Sequence, residues 1–175
     1  MAVELVSHRP RWGREFAQEA IALRQALGHN VRAIHHVGST AIPGILAKPI
    51  LDILCVVTSL AAVDAAAHRM QALGYAAKGE YGIEGRRYFQ KKDPQGARTH
   101  HVHVFCTGDE HIERHLAFRD FLLAHPAIAA QYSAVKALAL TSLPLTRQAY
   151  QDQKAPFIVA TLTKAIRWYR LRHGR

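Results

Sequence analysis

Apolar and polar positions change their period several times along the chain, and each change predicts an element. Between residues 11 and 27, Phe16, Ala20, Leu23 and Leu27 recur at helical spacing and Gly28 follows as a stop, which predicts a helix. Residues 31–37 (VRAIHHV) read as a short strand that breaks at Gly38-Ser39. Pro43 and Gly44 then mark a loop, and the apolar run 49–57 reads as a second strand. The alanine-rich stretch 59–74 sets Leu60, Val63, Ala67, Met70 and Leu73 on one stripe closed by Gly74, which predicts a covering helix. Residues 85–92 and 98–106 flank Asp93-Pro94-Gln95-Gly96, the residue order of a type I turn, and should pair as a hairpin. From about residue 110 the pattern is helical. One helix stops before Pro126, a second follows it, and after Pro144 a third runs from about Thr146 into a basic tail. Strands first and helices after predict an α+β chain: a mixed or antiparallel sheet, an N-terminal helix and a helical C-terminal section.

The 175 residues suit a single domain, with a sheet region over about 1–108 and a helical region over about 109–175. No window approaches the roughly 18 to 20 apolar residues of a membrane span, so no membrane partner is expected. The opening MAVELVSHRPRW lacks the apolar core of a secretion signal, about 7 to 15 residues, which gives a cytoplasmic expectation. Cys55 and Cys106 are accordingly read as reduced.

A formal charge of +10 points to an anionic partner: a nucleotide, a nucleic acid or an acidic surface. Part of that excess is local. After Asp152 there is no acid, while Lys154, Lys164, Arg167, Arg170, Arg172 and Arg175 are basic. Cations at a helix C-terminus account for this better than a nucleic-acid stripe, since no aromatic ladder accompanies them.

One position interrupts the second strand. Asp52 lies between Leu51 and Ile53 and, by alternation, shares a face with Ile50, Leu54 and Val56. A carboxylate there needs a cation or hydrogen-bond donors. Gly38 and Ser39, just upstream, can offer turn amides and a hydroxyl to phosphate oxygens, and Asp52 can hold a divalent metal against them. Lys48 ends the loop between them and reads either as a phosphate ligand or as a surface lysine. Arg87 and Lys91, on one face of the hairpin arm, are candidates for neutralising phosphate charge, with solvation of the arm as the alternative. In THHVHVF, His101 and His103 share a face; with Asp52 they would make a two-histidine, one-carboxylate metal set that suits zinc, iron, nickel or manganese better than magnesium. Neutral histidines on a half-wet sheet are the competing reading. Arg119 is read as a structural pairing residue that diverges from Asp120 around its helix.

Val37-Gly38-Ser39, twelve intervening residues and Asp52-Ile53-Leu54 resemble the motif of the DNA polymerase β-like nucleotidyltransferase superfamily. The whole chain looks like the GrpB family, usually placed in that superfamily. The likeness rests on His36-Val37-Gly38-Ser39-Thr40-Ala41-Ile42-Pro43-Gly44, Ala47-Lys48-Pro49-Ile50-Leu51-Asp52-Ile53, His101-Val102-His103-Val104, Phe118-Arg119-Asp120-Phe121, His125-Pro126, and Tyr150 with Lys154. The resemblance implies a nucleotidyltransferase-type sheet and a nucleotide or phosphorylated small molecule held by Gly38 and Ser39. It makes Asp52 the catalytic, metal-holding residue, with magnesium or manganese as cofactor, or zinc if the histidines ligate. Where the superfamily pattern has its second carboxylate this chain has Leu54, which implies a modified metal site or none. Three functions stay open: nucleotidyl transfer, a non-catalytic module binding a nucleotide or CoA-related ligand beside a partner enzyme of CoA metabolism, and nucleic-acid association through the tail.

Overall fold

The computed structural model describes residues 4–141 and 146–174, so Pro144 and Arg175 lie outside the described residues. Helix α1 (Arg11–Leu27) leads into β1 (Val31–Val37), and a loop then returns the chain as β2 (Leu51–Val57). Every β2 residue except Asp52 is buried, as its near-continuous apolar run requires of an interior strand. The covering helix is two short ones, α2 (Leu60–Ala65) and α3 (Ala67–Ala72), because Ala66 departs from helical geometry at ψ 4°. An edge strand that the pattern did not predict, β3 (Tyr75–Ala77), follows. Then come β4 (Arg86–Lys92) and β5 (Arg98–Cys106), joined by the expected turn, with Gly96 N–H donating to Asp93 O at 2.9 Å.

The sheet order is β1-β2-β5-β4-β3, with β2 and β5 parallel and every other pair antiparallel. Ile53, Cys55, Val57, Val102 and Val104 pack one face against α1, α2 and α3. Val37, Leu54, Val56 and Phe105 form the other face, under Ile112 and Leu116 of α4 (Glu110–Ala124). Helices α5 (Pro126–Leu140) and α6 (Arg147–Arg172) pack with α4 through Phe121, Leu122, Tyr132 and Ala165. Ile42 and Ile45, from the loop between β1 and β2, are buried in that same helical core. This clamps the Gly38-Ser39 turn between the sheet and the helices. The whole is the mixed α+β architecture expected.

Candidate functional site

β1 ends at Val37, and Gly38 turns the chain with φ 73°, into the region that disfavours residues carrying a Cβ. An added Cβ there would stand 2.8 Å from Asp52 Oδ2, so glycine is what permits the turn to lie against the carboxylate. Gly38→Ala is expected to cost about 2 to 4 kcal/mol, from left-handed backbone strain and the clash together. A denaturant midpoint unchanged from wild type would contradict that contact.

Asp52 pairs across the parallel ladder with His101, and Leu54 with His103, so both imidazoles stand on the Asp52 face. His103 Nε2 lies 3.3 Å and His101 Nδ1 3.4 Å from the same oxygen, Asp52 Oδ1. Burial alone would raise the Asp52 pKa. The two imidazoles more than reverse this and hold the carboxyl well below the usual carboxylate range. His103 Nδ1 in turn faces Arg86 Nη1 at 3.4 Å, which fits a ring donating Nε2–H to the aspartate. Arg86 is buried, donates to the carbonyls of Glu80 and Tyr81, and lies over the Tyr88 ring. His101 Nε2 is buried without a partner among the described residues.

From the opposite side come three lysines. Lys136 of α5, 2 % exposed, donates from Nζ to Ser39 Oγ at 2.8 Å and to the Leu46 carbonyl, and lies over the Tyr132 ring. Lys48 and Lys154 flank one ring, Tyr150, with Nζ 4.5 and 4.8 Å from its centroid. Together with Gly38, Ser39 and Asp52 they bound a cleft of about 140 Å³. Burial, then the charges of Lys154 and Lys48, push Lys136 down to about 7. Burial and Lys48 bring Lys154 down to about 8. Lys48 is lowered by burial and by Arg147. Such shifts are what crowded, partly dehydrated ammonium groups produce, and the Asp52 carboxylate offsets them only in part for Lys48 and Lys154.

Gly38, Ser39, Lys48, Asp52, His101 and His103 are thus brought together, whereas Arg87 and Lys91 are not. Arg87 forms a two-bond pair with Asp64 at 2.7 and 2.9 Å, and Lys91 donates to Glu19 at 2.9 Å, both on the face covered by α1 to α3. The cause is a bulge. Lys92 pairs with Arg98 but Lys91 with His100, which skips Thr99 and moves Arg87 opposite Val104 and away from the histidine face. Arg119 is structural: it donates to the His36 carbonyl at 3.0 Å. Rather than diverging from Asp120 it pairs with it, Nε to Oδ1 at 2.7 Å. Lys136 carried no signal in the sequence beyond being a lysine in an apolar helix, and Lys154 stood out through the family likeness and as the first cation of the basic tail.

The donors do not fit a divalent metal. Among the described residues no group of three or more His, Cys, Asp or Glu side chains is arranged to hold one. The position two beyond Asp52 is the fully buried Leu54, which offers no ligand atom.

The model of the GrpB protein family matches residues 2–164. The UPF0157 protein YqkA of Bacillus subtilis (strain 168) is 43% identical over 172 residues, 98% of this chain, and the chain spans 50% of that relative's length. A dephospho-CoA kinase of Mycolicibacterium paratuberculosis (strain ATCC BAA-968 / K-10) is 31% identical over 189 residues, covering 95% of this chain and 46% of that protein. The crystal structure of conserved protein GrpB from Enterococcus faecalis superposes with a TM-score of 0.89 at 37% identity, covering 95% of this chain and 99% of that one. The Cid1 poly(U) polymerase, in its MgGTP-bound structure, shares the fold alone: TM-score 0.55 at 12% identity, over 76% of this chain and 44% of that one. The chain belongs to the GrpB family and has a nucleotidyltransferase-like fold.

Proposed function

We propose that the chain binds a phosphorylated small molecule, a nucleotide or a CoA-related phosphoester, in the cleft between the Gly38-Ser39 turn and helices α5 and α6. One observation carries this reading: Lys48, Lys136 and Lys154 gather around a single carboxylate, and none of them enters an ion pair among the described residues. Concentrating buried positive charge is costly, and a phosphoryl dianion held by the lysines, the Ser39 hydroxyl and turn amides offsets that cost. Transfer of a nucleotidyl group needs charge-neutralising metals held by several carboxylates. With Leu54 beside Asp52, binding is the function proposed. The similarity to a segment of a dephospho-CoA kinase supports a CoA-related ligand, a partner enzyme of CoA metabolism and a cytoplasmic place of work. No helix among the described residues is long and apolar enough to cross a membrane. Nucleic-acid association through the tail gains no support, since Arg170 is engaged by Glu113 at 2.7 Å and Arg172 lies over Trp168.

Calorimetric titration of the full chain with inorganic phosphate, ATP and CoA tests the proposal. Saturable binding of at least one, weakened about tenfold or more by Lys154→Met, is the expected result. Pyrophosphate release from ATP would establish transfer instead, and the absence of binding by all three would overturn the reading.

A further inference from the structure

Resting on the phosphate-binding reading above, we infer that this cleft takes its phosphoryl ligand free of divalent metal, with the lysine ammonium groups supplying the positive charge that metal ions supply elsewhere. The first ground is the state of Asp52. A metal ion would have to sit about 2.0 to 2.2 Å from a carboxylate oxygen. Asp52 Oδ2 lies against the Gly38 turn, where an added Cβ would be 2.8 Å away, and among the described residues no three His, Cys, Asp or Glu side chains are placed to share an ion with it.

The remaining donors point the same way. Ser39 Oγ is engaged by Lys136 Nζ at 2.8 Å, so its lone pairs face an ammonium group. Tyr132 and Tyr150 have phenol pKa values raised by burial and stay neutral, which makes them poor metal ligands. Leu54 is buried among Val37, Val56 and Phe105 and brings no oxygen.

Charge decides between the two guests. Three ammonium groups against one carboxylate leave an excess of two positive charges when all are ionised. A free divalent cation is repelled by that excess, and a doubly charged phosphomonoester matches it. The ligand class that follows is a terminal phosphomonoester or other uncomplexed phosphoryl group. A magnesium-triphosphate complex, its charge already partly neutralised, is the poorer match.

The test is calorimetry on the full chain with inorganic phosphate and with ATP, each in EDTA and in excess magnesium, together with electron paramagnetic resonance of manganese mixed with the protein alone. The inference expects ATP to bind at least about threefold more tightly in EDTA than in magnesium. It also expects Lys48→Met and Lys154→Met to weaken phosphate about equally in both media, and manganese alone to stay free. Binding that appears only with magnesium or manganese, or manganese held by wild type and released by Asp52→Asn, would overturn the inference while leaving the phosphate-binding reading in place. Failure of both probes to bind in either medium would overturn the inference, and failure of CoA as well would overturn the phosphate-binding reading with it.

Discussion

Replacing Lys136 by methionine is expected to weaken phosphate binding about 100-fold near pH 6.5 while leaving the fold intact. The side chain is 2 % exposed and touches Ser39 directly, so a charge-assisted bond made there is dehydrated and worth about 3 kcal/mol. Methionine keeps most of the volume and can lie over the Tyr132 ring in place of the ammonium group. The pH dependence gives this prediction a signature that simple loss of contact lacks. With its pKa pushed down to about 7, Lys136 of the unliganded chain is largely neutral above pH 8. A phosphoryl anion must then recruit a proton in order to bind. Affinity should fall by up to about tenfold per pH unit above 7, and calorimetric heats should depend on the buffer's own ionisation enthalpy. Stability of the empty protein should move in the opposite direction. The unfolded chain keeps the lysine protonated up to about pH 10.5, so it binds more protons than the native state between 7 and 10.5, and unfolding free energy rises with pH across that window. Lys136→Met should remove much of both slopes. A wild-type affinity flat from pH 7 to 9.5 would contradict the role assigned to this amine.

Acidification should destabilise the empty protein steeply between pH 6.5 and 4. Burial is the main cause of the lowered pKa of His36, which faces Asp52, Arg119 and His8, and of His115, which faces His103, Asp52 and His111; each falls from 6.5 to about 4. A base whose native pKa is depressed stays neutral while the unfolded chain takes up a proton, so stability is lost as pH falls below 6.5 and the loss levels off near 4. Each histidine accounts for up to about 3 kcal/mol. A combined loss of about 4 to 6 kcal/mol is a large part of ordinary domain stability. Asp52 adds to the loss only at lower pH, because its carboxylate stabilises the native state above its ordinary value of 3.8 and that contribution is lost as it protonates. Urea unfolding at pH 7.5, 6, 5 and 4.5 measures the curve. His115→Leu, which suits a position packed near Phe105 and Leu116, should flatten it by nearly half. Equal slopes in variant and wild type would place the proton uptake elsewhere.

The elements and half of the cleft were legible because they depend on local rules. Helical spacing with a stop glycine delimits α1, and a type I turn sequence fixes the hairpin. Period-two alternation places Asp52 with Leu54 and puts His101 and His103 on a common face. The broken helix at Ala66 and the three-residue strand Tyr75–Ala77 were not legible, because alanine-rich and short edge segments carry little periodic signal. Nor was the true side of Arg87 and Lys91. Alternation correctly puts the two together, but the single skipped residue at Thr99 exchanges the faces of β4 relative to β5, and no residue near the turn announces it.

What the sequence determined by itself is the α+β order of elements, the Gly38-Ser39 turn and the unavoidable need of Asp52 for partners. Who those partners are and what faces them depends on the assembled fold. Two histidines from β5 meet the carboxylate across a parallel ladder, His103 lying 51 residues beyond Asp52, through a crossover no local pattern specifies. Lys136 and Lys154 arrive from helices remote in the chain, the first 97 residues beyond Ser39. A lysine on a helix has the same local sequence whether it points to solvent or into a cleft. The difference lies in how α5 and α6 pack against the loop carrying Ile42 and Ile45, and that packing is a property of the assembled core.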